Sequence, residues 1–354
     1  MHGPGRPARL GLAIAVVLFA GGAQAQDASA DEGFVWPGAE WTVRSPEEAG
    51  LDPIALAALA EEVGGSGMVV KNGYRVHAWG EIDRPIDWSS ASKPVVATCL
   101  WMAVEDGLCS LDATAGDFLD GGTEEDRAIP IRDLANMVSG YGLVEPSGEA
   151  WGYNDYGVNL LGEIVFAQAH GSQPSMVIPD RLAPLGFQDD VLVSDDERGR
   201  IKRMSIRDFA RIGLLWLARG VWEDEPLLPE SYFDLIANQV PDSLQRTAGE
   251  GEMSWDFGSF GGPRDQLAWG PGHYGFTFWV NTNDLWPGIP RDTYQANGHW
   301  GRVVCTCIPS LGLVAVGEGD WDHPSTDALR ILAGSVTGVA GAETTWGEIK
   351  ARFR

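Results

Sequence analysis

Strand-like segments lie near both ends of this chain and helix-like segments fill its middle, so a sheet that uses both sets forces the chain to return on itself. At the front, Met68-Val69-Val70, the turn-forming Lys71-Asn72-Gly73-Tyr74 and the segment from Arg75 to Trp79 read as a hairpin. Towards the end, Phe276 to Asn281, Arg302 to Ile308 and Leu313 to Gly317 read as strands. Between them, Val95, Val96, Cys99, Leu100 and Ala103 mark one face of a helix that stops at Gly107. Val158 to Ala169 and Ile206 to Ala218 repeat the helical spacing, and Pro46 to Val63 and Thr326 to Val336 add helices near the ends. A further short helix is predicted after Glu343. One composite α/β (α+β) domain satisfies this order: an antiparallel sheet flanked by terminal helices, plus a mostly helical insertion. The sheet part is expected at roughly residues 40–89 and 270–354, and the helical part at roughly 95–250.

The first residues carry a different signal. Arg6 and Arg9 precede an apolar run from Leu10 to Ala20, and Ala23-Gln24-Ala25 offers small residues two apart. That layout predicts a secretory signal peptide over residues 1–25, cut after Ala25. The run is shorter than the about 20 residues that a membrane span needs, the alternative being an uncleaved anchor. No later stretch is long and apolar enough to cross a bilayer, so the mature protein is expected to be soluble and periplasmic or secreted. Removing the leader takes away two arginines and no acid, which moves the formal charge from −25 to −27. A chain this acidic repels phosphate backbones, which excludes nucleic acid as a partner.

Four cysteines in an exported chain permit disulfides. Cys305 and Cys307, two apart on one strand, are poorly placed to bridge each other. Pairing of one of them with Cys99 or Cys109 is the better expectation, and four free thiols the alternative. No histidine or cysteine cluster joins the pair, so no metal is expected. His77, His170, His273 and His323 are scattered without ligand spacing and read as structural or surface residues. Gly64-Gly65-Ser66-Gly67 lacks the last glycine of a nucleophile elbow and reads as a turn. No glycine-rich phosphate loop calls for a nucleotide cofactor.

Chemistry concentrates at Ser90-Ala91-Ser92-Lys93, at the predicted start of the first middle helix. Positions three apart on a helix share a face, so Ser90 and Lys93 point the same way. A serine hydroxyl is a weak nucleophile until a neighbour takes its proton, and a partly desolvated lysine can do so or assist another base. Pro94 is tolerated in a first helical turn, which agrees with this placement.

Further segments join this one in a recognisable order. They are Trp88 through Lys93, Ile131-Arg132-Asp133-Leu134 leading to Ser139-Gly140, and Tyr153-Asn154-Asp155-Tyr156-Gly157 with Leu160-Leu161-Gly162-Glu163. Then come Arg207 through Gly213, Tyr274-Gly275-Phe276 through Trp279, and Gly298-His299-Trp300-Gly301 continued by Pro309 through Val314. Together these resemble the serine β-lactamase-like superfamily, in particular its class C, penicillin-binding esterase and 6-aminohexanoate-dimer-hydrolase-like branch. The resemblance implies a serine hydrolase without cofactor. Ser90 would be the acylated nucleophile, Lys93 its hydrogen-bonded partner and Tyr153 the general base or acid. His299 and Gly301 would belong to the strand motif, and the backbone N–H groups of Ser90 and Arg302 would form the oxyanion hole. A tyrosine ordinarily ionises near pH 10, so that role requires a cation beside it, which Lys93 could supply.

Two departures from the family pattern matter. The second motif is usually Tyr-x-Asn, and here Asp155 stands in the third place. An aspartate beside Lys93 favours the ammonium, which turns Lys93 into a fixed positive charge and leaves proton transfer to Tyr153; the alternative is that Asp155 only anchors its loop. His299 stands where many β-lactamases carry lysine, which lessens the charge available to a β-lactam carboxylate. Trp88, Tyr141, Trp151 and Trp300 flank the motifs and either line an apolar substrate pocket or pack in the core. The expected substrate is a small ester, amide or peptide, with an esterase or amidase favoured over a class C-like β-lactamase or a D-amino-acid peptidase. The rival from another class is a non-catalytic protein on the same fold that binds peptidoglycan or peptide.

Overall fold

The computed structural model describes residues 34–237, 240–258, 263–264, 270–321 and 326–337. The leader, His323 and the segment after Glu343 therefore lie outside the described residues. The front hairpin forms from β1 (Ser66–Lys71) and β2 (Tyr74–Trp79). The later strands are β3 (Tyr274–Gly275), β4 (Phe278–Val280), β5 (Tyr294–Gly298), β6 (Val303–Ile308) and β7 (Leu313–Glu318). They join in one antiparallel sheet of order β3-β4-β5-β6-β7-β1-β2. The first strand pairs with the last, Val69 opposite Ala315, which is how the two ends of the chain come to share a sheet.

Both faces of the sheet are covered, and side-chain alternation assigns each strand residue to one of them. Val69, Val304, Leu313 and Ala315 face α1 (Pro53–Val63) and α5 (Asp327–Gly334), meeting Leu56, Leu59, Val63, Ala328 and Leu332. Met68, Val70, Cys305, Val314 and Val316 face the other way, towards α2 (Lys93–Glu105) and α4 (Ile206–Leu217). Gly213 lets α4 lie close to the sheet: a Cβ there would sit 2.6 Å from Cys305 Sγ and 2.7 Å from Val314 Cγ1. The terminal helix α1 begins beyond Gly50, whose φ of 69° ends a preceding short turn of 3₁₀ helix. Asp52 then caps it by accepting from the Ile54 N–H at 2.8 Å, with Pro53 in the first turn. The expected single helix from Pro46 is thus broken at Gly50.

The structure departs from the sequence reading in three other places that bear on function. Phe276 to Asn281 is two strands: Phe276 (φ 44°) and Thr277 (φ 69°) form a left-handed turn. Asn136 Oδ1 and the Ala135 carbonyl accept from the two N–H groups of that turn, at 2.8 and 2.9 Å. The segment from Val158 is α-helical only as α3 (Asp155–Gly162) and continues as a π-helix over Glu163–Ala169. Strand β5 has no counterpart in the hydrophobic pattern. All of its residues are buried, yet Gln295 and Asn297 are polar. They satisfy each other and the neighbouring strand, Asn297 Nδ2 donating to Gln295 Oε1 (2.7 Å) and Gln295 Nε2 to Thr306 Oγ1 (2.8 Å).

All four cysteines are free thiols, against the expected bridge to Cys99 or Cys109. Cys305 and Cys307 lie on the face turned to α4, where Cys307 Sγ donates to the Gly213 carbonyl at 3.4 Å. Burial pushes Cys99 up to about 12 and Cys109 up to about 11, so both remain protonated thiols at neutral pH.

Candidate active site

Ser90 sits in a turn of 3₁₀ helix, Ser89–Ser92, that runs directly into α2. The turn is anchored from behind. Trp88 is fully buried, stacks on Phe209 with ring centroids 3.8 Å apart, and donates from Nε1 to the Met204 carbonyl at 3.0 Å. Ser92, also buried, accepts from the Ile201 N–H at 2.9 Å. Ser89 has a φ of 48°, a left-handed conformation uncommon for a residue with a side chain. Its N–H donates to Asp87 Oδ1 at 2.8 Å.

Lys93 lies one turn beyond Ser90, and its Nζ donates to Ser90 Oγ at 2.7 Å. The same Nζ pairs with Asp155 Oδ1 at 2.7 Å, and both side chains are about nine-tenths buried (10% and 8% exposed). Burial alone would push the lysine down. The Asp155 carboxylate, with Tyr153 adding to it, outweighs that burial and holds Lys93 above the ordinary lysine value, hence as an ammonium. Asn154 makes the placement of Asp155 possible. It caps α3 by accepting from the N–H groups of Tyr156 (3.0 Å) and Gly157 (3.2 Å), while its Nδ2 donates to the Tyr141 carbonyl. The asparagine of this motif thus caps the helix, and Asp155 is the member that meets the lysine.

Tyr153 completes the group. Its ring centre lies 4.9 Å from Lys93 Nζ, and the ring stacks on Trp279 (6.1 Å, 5°) and meets Tyr274 edge-on (6.2 Å, 80°). Ser90, Lys93, Tyr153 and Asp155 are therefore brought together. The cleft beside Ser90 has a volume of about 40 Å³. Lys93 and Asp155 line it together with Glu197, Arg198 and Arg200.

The remaining candidates are placed differently. His299, Trp300, Gly301 and Arg302 form the turn between β5 and β6 instead of lying on a strand, with φ of 51°, 62° and 78° at the first three. The Arg302 N–H, expected in the oxyanion hole, donates to the His299 carbonyl at 3.3 Å and closes that turn. Gly298, the residue just before, is the one that approaches the Ser90 turn. A Cβ on it would lie 2.6 Å from the Trp88 carbonyl oxygen and 2.8 Å from the Ala91 nitrogen, the two sides of the Ser90 turn.

Of the four aromatic residues expected around a pocket, three are core residues. Trp88, Tyr141 and Trp151 are at most 1% exposed, and none lines the cleft. Tyr141 bonds with its hydroxyl to the Trp255 backbone, and Trp151 packs against Tyr274 and Trp279. Trp300 is not a core residue, being 49% exposed at the hairpin tip, but it does not line the cleft either. Asp87, Glu197, Arg198, Arg200 and Gly298 were not singled out by sequence reasoning. Only Gly298 carried a signal, as the first glycine of the Gly298-His299-Trp300-Gly301 run.

Away from the cleft, His77, His170 and His273 are each pushed below the ordinary histidine value by burial. Among the described residues, no group of histidine, cysteine and acidic side chains could hold a metal ion, and no helix is long and apolar enough to cross a membrane.

The fold is shared with known proteins. One is assigned as a 6-aminohexanoate-dimer hydrolase from Bacillus anthracis: TM-score 0.59, 16% identity, covering 86% of this chain and 87% of that one. Another is EstCE1, a hydrolase with promiscuous acyltransferase activity: TM-score 0.60, 14% identity, covering 80% and 98%. A class C β-lactamase from Rhodobacter sphaeroides gives a TM-score of 0.53 at 15% identity, covering 79% and 96%. At these identities the likeness is one of fold. No curated protein sequence matches the chain. The Beta-lactamase family model, however, matches residues 55–317, well over half of its length. The match runs from α1 to β7 and includes every residue of the Ser90 cluster, and by it the chain belongs to the Beta-lactamase family of serine hydrolases.

Proposed function

We propose that this chain is an exported serine hydrolase that cleaves a small carboxylic ester or amide through an acyl-enzyme on Ser90. The observation that carries this reading is the position of Lys93 Nζ, 2.7 Å from both Ser90 Oγ and Asp155 Oδ1. An ammonium donating to the serine oxygen cannot also take the serine proton, so the base is a different group, and Tyr153 is the neighbour available. In the first half-reaction the Ser90 oxygen bonds to the substrate carbonyl carbon. Its proton passes through Tyr153 to the departing oxygen or nitrogen, and the alcohol or amine leaves. In the second half water adds to the acyl carbon, a proton returns to Ser90 Oγ, and the carboxylic acid is released. The Ser90 N–H serves as one oxyanion donor, and the second comes from the backbone where β5 ends beside the Ser90 turn.

Charge and exposure support this choice of substrate class. His299 replaces a lysine, and half-exposed Trp300 follows it, which favours apolar esters or amides over anionic β-lactams. Fold relatives named as a 6-aminohexanoate-dimer hydrolase and as the hydrolase EstCE1 support that choice. Export to the periplasm or beyond rests on the leader-like residues 1–25.

Intact-protein mass spectrometry after treatment with a fluorophosphonate tests the reading. The wild type is expected to gain one adduct that Ser90→Ala lacks, and then to turn over esters or amides faster than β-lactams. A folded wild type with no adduct at Ser90 would overturn the proposal in favour of a binding protein on the same fold.

A further inference from the structure

We propose that Asp87, clamped by Arg200, is a positioning residue that sets the direction of the Ser90 hydroxyl and of the Ser90 N–H. This inference rests on the reading of Ser90 as nucleophile. Its starting point is the left-handed φ of 48° at Ser89. Ser89 shares a peptide plane with the Ser90 nitrogen, so a rotation of the Ser89 backbone swings both the Ser90 N–H and its side chain. A serine held in this conformation needs surroundings that over-determine it. The described contact that holds it is the bond from the Ser89 N–H to Asp87 Oδ1, 2.8 Å long.

Asp87 is in turn held at two points. Arg200 donates from Nε to Oδ1 at 3.0 Å and from Nη2 to Oδ2 at 2.7 Å, the fork geometry in which a guanidinium fixes a carboxylate. Arg200 itself pairs with Glu197 at 3.4 Å. Lys202 pairs with Glu197 and lies 3.9 Å from Asp87 Oδ2, which closes a ring of two acids and two bases. The next residue along, Ile201, reinforces the register. Its N–H donates to Ser92 Oγ (2.9 Å), and its carbonyl accepts from the Trp88 N–H (2.9 Å). Residues 200 and 201 therefore tie the turn at Asp87, Trp88 and Ser92, on both sides of Ser90.

A surface ion pair could serve general stability instead, and exposure separates the two roles. The Asp87 side chain is 41% exposed and that of Arg200 is 23% exposed, a setting in which ion pairs add little to global stability. Loss of Asp87 should then slow acylation while leaving unfolding nearly unchanged.

The experiment measures the second-order rate of fluorophosphonate labelling across pH, beside thermal unfolding, in the full chain. Asp87→Ala is expected to label on the order of 10-fold or more slowly at every pH, from misplacement of the attacking group. Asp87→Asn keeps an oxygen acceptor for the Ser89 N–H and should retain most of the rate. The exchange of Asp87→Arg with Arg200→Asp restores an ion pair without an acceptor and should stay slow. Wild-type labelling rates in Asp87→Ala, or recovery in the exchanged pair, would overturn the positioning role while leaving Ser90 as nucleophile. Should Asp87→Ala not fold, the contrast between Asp87→Asn and the exchanged pair decides alone. A wild type that forms no Ser90 adduct would sink the proposed function first, and the positioning role with it.

Discussion

Gly298→Ala puts the contact between β5 and the Ser90 turn to a direct test. The added methyl group would lie 2.6 Å from the Trp88 carbonyl oxygen, 2.7 Å from Val303 Cγ2 and 2.8 Å from the Ala91 nitrogen. The Val303 side chain can turn aside. The other two atoms are backbone, and they cannot retreat without carrying Ser90 with them. Ordinary contact begins at 3.4 Å, so the strand and the turn must part by up to 0.8 Å along the shortest line. Overpacking of this kind costs about 1–3 kcal/mol of stability. Misplacement of a reacting group by roughly 1 Å costs about 10²-fold in rate, so a loss of about 10- to 100-fold in labelling of Ser90 is expected. Urea unfolding and the fluorophosphonate labelling rate measure the two effects. Gly38→Ala, where an added methyl group meets nothing within 4 Å, serves as the control. If Gly298→Ala unfolds and labels like that control, the close-approach reasoning is wrong.

Asp155→Asn removes the carboxylate that, against burial, holds Lys93 above its ordinary value of 10.5, so Lys93 moves downward in the variant. In the wild type the stability contributed by the raised Lys93 is complete below pH 10.5 and disappears as pH rises through the higher folded value. The variant should lose about 3 kcal/mol at neutral pH, since an uncompensated buried charge remains, and the alkaline limb of its labelling profile should move to lower pH. An unchanged profile would leave Asp155 with only a loop-anchoring role. For the cysteines, denatured protein should titrate four thiols without added reductant, and native protein almost none at Cys99, Cys305 and Cys307, which are buried. A deficit of two thiols in the denatured chain would restore the disulfide expectation.

Short-range chemistry is what the sequence determined by itself. The three-residue spacing of Ser90 and Lys93 places both on one side of a helical turn wherever that turn lies, and their side chains meet at 2.7 Å. Strand and helix order dictated that the chain must fold back on itself, and β1 pairs with β7 accordingly. Alternation of apolar residues could not reveal β5, because Gln295 and Asn297 are buried by bonding to each other and to Thr306, and that compensation exists only after folding. The roles of the tryptophans were equally open. An indole beside a motif reads the same whether it lines a pocket or, like Trp88, stacks on a helix far along the chain. Tertiary structure also decided which glycine meets the Ser90 turn, and that Arg200 reaches Asp87 across 113 residues of sequence. The physical reason is the same in each case. Contacts within a turn follow from backbone geometry that every sequence shares, whereas contacts between distant segments depend on how the whole core packs.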